Sequence, residues 1–96
     1  EDHVSMGTTA ARKAVSILDN VQKVLGIELF AAAQALSLRG EQTLGHGTAA
    51  AYALIREEVP FIDHDVVMHT EMNKLDRMVK TGKFAQVVQK AVGILE

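Results

Sequence analysis

The sequence predicts an all-α protein, with one long helix followed by three shorter ones. Three observations carry this reading. Hydrophobic residues make up 48% of the 96 residues but aromatics only 4%. A core must therefore come from Ala, Val, Leu, Ile and Met, while the β-branched and aromatic runs of strands are scarce. Apolar residues also recur at three- and four-residue spacing, as they do on one face of a helix. Finally, the glycines and the single proline fall between the periodic segments rather than inside them, Gly26 and Gly93 excepted. At this length the chain is about one small domain.

The first helix is expected to start between Ser5 and Thr9, where Ser5, Gly7, Thr8 and Thr9 are all acceptable caps. It then runs to about Arg39, with Gly40 as its stop. A helix of that length spans roughly 45–50 Å. Ala14, Ile17, Leu18, Val21, Val24 and Leu25 form one stripe in its first half. In the second half, "IELFAAAQALSL", apolar residues point in nearly every direction. Either the helix is broken there, or it packs against other chains or further parts of its own. Leu29, Phe30, Leu36 and Leu38 are expected to be left exposed in part and to drive self-association. Glu28 falls inside the apolar stripe, near Leu25 and Ala32. It needs a partner there, or it sits on a rim that reaches water.

"GEQTLGHG" reads as a loop, and "TAAAYALIREEV" as a second helix ended by Pro60, which disfavours helical geometry at Val59. "FIDHDVVMH" is a connector. A third helix is predicted from about Thr70 to Lys80, closed by Gly82. A fourth, "FAQVVQKAVGIL", sets Phe84, Val87, Val88, Ala91 and Leu95 on one stripe.

Net charge is −2 with acids and bases interspersed, so no nucleic-acid footprint and no polybasic membrane patch is visible. The absence of cysteine excludes disulfides, thiolate metal sites and a Cys nucleophile. No uninterrupted apolar run approaches the roughly 18 residues of a membrane span. "HVSMG" lacks the Gly and the leading strand of a nucleophile elbow. "GHGTAA" fits a dinucleotide fingerprint only in spelling, because the element before it is helical. "TGK" at Thr81 to Lys83 lacks the upstream glycines of a phosphate loop. His64, Asp65 and His69 match no strong metal spacing and read as solvated connector residues. No metal site is expected.

Glu1, Asp2 and His3 remain. Carboxylates and an imidazole just before a long helix can perform acid-base work or contact a substrate; otherwise they are a chain end.

"EDHVSMG" followed by "NVQKVLGIELFAAAQAL", then "GTAAAYALIREEVPFID" and "LDRMVKTGKF", resembles the C-terminal part of the histidine branch of the aromatic amino-acid ammonia-lyases. The resemblance covers essentially the whole chain in order. It implies a large, mostly helical, cytoplasmic homotetramer whose long helices form a central bundle. It also implies elimination of ammonia from L-histidine to give urocanate, in histidine degradation. The electrophile of such enzymes is methylidene-imidazolone, made from an internal Ala-Ser-Gly. Glu1 matches a Glu implicated in catalysis and substrate binding, and His3 a neighbouring substrate-binding position. Asp2 and Ser5 match supporting positions. Glu1 with His3 points to histidine, since the phenylalanine and tyrosine enzymes usually carry Gln in place of Glu1.

The chain has no Ala-Ser-Gly, and Tyr52 is its only tyrosine. "MHTEM" also lacks the Tyr-Pro-Asp of many relatives. The expectation is therefore a C-terminal fragment, inactive alone and without its own cofactor. It would comprise an active-site strip over 1–6, a bundle helix over 7–39 and short helices over 40–96. The rival readings are another aromatic amino-acid ammonia-lyase or aminomutase, and a stand-alone helical oligomerisation module.

Overall fold

The structure is a computed structural model that describes residues 2–40 and 43–93, with side chains from residue 6 onward. Four helices follow one another: α1 (Asp2–Arg39), α2 (His46–Glu58), α3 (Met68–Lys80) and α4 (Lys83–Val92). There is no strand among the described residues. The molecule is elongated, 60 × 38 × 17 Å, because α1 alone is 38 residues long.

α1 begins earlier than expected. Ser5, Gly7 and Thr8 could cap a helix, but none of them breaks one. Each costs a fraction of what Pro would, and every residue added to an existing helix contributes a hydrogen bond. Gly40 ends it in the left-handed region, at φ 87°, where a side chain would be strained. By length and composition alone, Met6–Arg39 is apolar enough to cross a membrane. The sequence expectation missed this because Asp19, Lys23 and Glu28 interrupt the apolar runs without lowering their average much.

α2 begins at His46 after Gly45 and ends as Pro60 requires. Val59 is extended (φ −129°, ψ 112°), and its N–H still caps onto Ile55 O. α3 starts two residues before its expected N-terminus, and α4 stops at Gly93. Phe84, Val87 and Val88 are half-buried and Ala91 is exposed; Leu95 lies outside the described residues.

Two antiparallel pairings build the fold. α3 packs along α1, with Asp76 against Gly26 and Lys80 beside Asp19. α4 packs along α2, where Gly47 approaches the side chains of Val88 and Val92. The core is small: Ala33, Leu54, Ile55, Val59, Leu75 and Met78 are buried, and Leu29, Phe30, Tyr52, Phe84 and Val87 pack against them.

All of this covers only one side of α1. Phe30 and Leu29 face the chain's own core, which corrects the expectation that they lie in an open surface. The exposed stripe lies instead mainly in the first half, where Ile17 is 62% and Leu18 58% exposed, with Leu38 at the far end at 70%. The reason is placement: α2 and α3 dock on α1 between Asp19 and Ser37, α4 packs on those two helices, and no other described helix lies along the earlier turns.

Candidate functional site

Of the expected active-site strip, the structure describes only the backbone at the start of α1. Glu1 lies outside the described residues. Asp2 and His3 form the first helical turn in backbone; their side chains lie outside what the structure describes. The nearest packed part of α1, Asp19 beside Lys80, lies sixteen residues beyond His3, about 24 Å at 1.5 Å per residue. The three short helices therefore do not contribute to any pocket around His3 within this chain.

The other candidates resolve plainly. His64 is exposed and pairs with Asp63, its neighbour in sequence. His69 pairs with Asn73 one turn on, at 3.1 Å. Asp65 is exposed. Among the described residues, no group of three or more His, Asp or Glu converges to hold a metal. In "GHGTAA", Gly45 precedes α2 in extended geometry and Gly47 serves close helix packing, with a long helix rather than a strand upstream. "TGK" is the α3–α4 turn, with Gly82 at φ 74°.

Glu28 is exposed and lies on the rim of an open apolar groove of about 610 Å³ between α1, α2 and α4, lined among others by Leu25, Ala32, Phe84 and Val88. The rim reading of this carboxylate is the one the structure bears out.

Sequence reasoning missed two polar junctions. Arg56 reaches from α2 to α1, donating to Ala33 O at 2.9 Å, to Ser37 Oγ at 2.6 Å and to Val59 O at 3.0 Å. Its guanidinium thus satisfies Val59 O at the end of α2, where the helix dipole favours a cation, and ties that end to α1. Tyr52 joins this cluster through Ser37, oxygen to oxygen at 2.6 Å. The bond from Arg56, then that with Ser37, hold its phenol below the usual tyrosine range. At the other junction, Lys80 bridges Asp19 and Asp76, and Asp19 also pairs with Lys23 at 3.2 Å. Gln34 clamps the connector reciprocally, donating to Ile62 O and accepting from Ile62 N. The only sequence signal for these junctions is polar residues at the edge of apolar faces.

Residues 1–57 match the family model for aromatic amino acid lyases, so the match takes in α1 and nearly all of α2. The chain belongs to the aromatic amino acid lyase family. Similarity extends beyond the matched region. The histidine ammonia-lyase of Natranaerobius thermophilus is 44% identical over 96 residues, all of this chain and 19% of that protein. That of Alkaliphilus metalliredigens is 50% identical over 95 residues, 99% of this chain and 19% of that protein. That of Symbiobacterium thermophilum is 48% identical over 96 residues, again 19% of its length. The chain thus spans about a fifth of the curated lyases it matches. No solved structure matches it. The resemblance implies an electrophile made from Ala-Ser-Gly; the 96 residues contain no such tripeptide, so they do not fit that group.

Proposed function

We propose that this chain is the C-terminal part of a histidine ammonia-lyase, which eliminates ammonia from L-histidine to give urocanate. The observation that carries this is the 44–50% identity to histidine ammonia-lyases along the whole chain. In the complete enzyme, a methylidene-imidazolone made elsewhere in the polypeptide would supply the electrophile that activates the substrate for loss of ammonia. This chain's part is Glu1, which binds the substrate's imidazole or amine and holds or moves a proton there, with His3, two residues on in sequence, as a substrate contact. The enzyme would act in histidine degradation, in the cytoplasm, as a homotetramer. Neither nucleic acid nor membrane enters this reading as a partner.

Changing Glu1 to Gln in the complete enzyme tests the assignment, because it keeps the shape and removes the charge and the proton. Urocanate formation from L-histidine is expected to fall by about 10²-fold or more. Unchanged kinetics would remove Glu1 from the site. Preference for phenylalanine or tyrosine over histidine would move the enzyme to another branch of the family.

A further inference from the structure

The short helices carry a feature that the proposed reaction does not use. The end of α2, the last turns of α3 and the start of α4 enclose an open cleft of about 300 Å³, lined by Glu58, Lys74, Arg77, Met78, Thr81 and Lys83. Met78 is its one apolar lining residue and is buried. The "TGK" turn lacks the glycines of a phosphate loop, yet its Thr81 and Lys83 stand in this cleft beside two further cations.

Three of the four charged lining residues are cations, in a chain whose net charge is −2. They are not equivalent. Lys74 is held in place: its ammonium donates to Glu58 O at 3.2 Å and to both carboxylate oxygens of Glu71 at 3.4 Å. Lys80, three residues beyond Arg77, is taken up by Asp19 and Asp76. Arg77 and Lys83 have no side-chain hydrogen bond or ion pair among the described residues. Both are exposed and line the same cleft. Lys74 and Arg77 also stand one turn apart on α3, where like charges repel. An anion seated between these cations would relieve that repulsion. A guanidinium offers a planar fork to an oxyanion, and an ammonium a point charge beside it. Two unpaired cations match a dianion, which a phosphate group is near neutral pH and a single carboxylate is not. Glu58 is the one carboxylate in the lining, and it opposes a bound anion.

We propose that the cleft between α2, α3 and α4 binds the phosphate group of a small solute, with Arg77 and Lys83 as its contacts and Lys74 as a fixed charge at its edge. No residue of α1 lines the cleft, and the site does not rest on the lyase reading given above.

The test is a nitrogen-15 NMR titration of the 96-residue chain with inorganic phosphate, at constant ionic strength and a pH where phosphate is chiefly the dianion. Saturable shifts are expected at the Arg77 guanidinium and at the amides of Thr81 and Lys83. The thermal midpoint should rise with phosphate, because a ligand of the folded state stabilises it. Arg77→Gln and Lys83→Gln should each weaken binding about tenfold, by losing a charge-assisted hydrogen bond. Glu58→Gln should tighten it about threefold, by removing a like charge. Lys90→Gln, late in α4 and outside the cleft, should leave it unchanged. All four positions are exposed, so unchanged circular dichroism keeps folding out of the comparison. Shifts that chloride reproduces, or that do not saturate, would overturn the proposal. So would equal effects of Lys83→Gln and Lys90→Gln. Vesicles containing phosphatidic acid separate the two sources of a phosphate group. Binding to free phosphate without binding to the vesicles supports a small solute, and binding to the vesicles alone overturns it.

Discussion

Tyr52 is the single tyrosine of a chain without tryptophan, so its ionisation can be followed without interference. Arg56, then Ser37, favour the phenolate by hydrogen bonding. The tyrosinate absorbance of the folded chain should therefore appear below pH 10.0, its ordinary value. In Arg56→Met it should move back towards that value. A second titration concerns Asp19 and Lys80. Asp19 is held below its ordinary 3.8 by Lys80, then Lys23. Its contribution to stability is present above that pH and is lost as pH falls through the lower folded value. Lys80 is held above its ordinary 10.5 by Asp19, then Asp76. Its contribution is complete below 10.5 and is lost as pH rises through the raised value. Chemical denaturation across pH should show both declines, and Asp19→Asn should shrink them together, since one ion pair underlies both. Polar residues at the edge of apolar faces were their only signal in the sequence. Arg56 meets Ala33 and Ser37, and Lys80 meets Asp19, only because helices distant in sequence are brought together.

At the scale of elements, local chemistry was readable where it acts locally. Pro60 ends α2 through Val59, and Gly40 and Gly82 turn the chain in a backbone region that side chains avoid. The start of α1 was misplaced because a good capping residue is only a permission to begin a helix. Gly26 stands inside α1, where glycine weakens a helix, and the structure gives it a use. A Cβ there would lie 3.2 Å from the backbone N of Asp76, so glycine is what lets α3 lie this close to α1. Gly26→Leu should lower unfolding stability by about 1–3 kcal/mol through overpacking. Leu75→Ala should cost about 2–5 kcal/mol, since Leu75 is fully buried. In a chain whose core is six buried residues, either change should visibly lower the thermal midpoint measured by circular dichroism.

For the whole molecule, the 96-residue chain should produce no urocanate from L-histidine, because it lacks the Ala-Ser-Gly from which the proposed electrophile would be made. An absorbance increase that scales with its concentration would overturn this. The elongated shape belongs with that expectation. A helix 38 residues long beside three helices of 10 to 13 residues cannot be covered by them, and Ile17, Leu18, Val21 and Val24 stay exposed.

The sequence by itself determined the four helices, their order and most of their stops, because periodicity, proline and glycine act over a few residues. Through the order of its segments it also pointed to the family. Only the tertiary structure decided which face of α1 the chain keeps for itself. Apolar residues surround the second half of that helix, so periodicity there cannot say which side a neighbour takes. The close approach at Gly26 and the bonds from Arg56, Lys80 and Gln34 settle that choice. By settling it, they leave Ile17, Val21, Val24 and Glu28 on the outside.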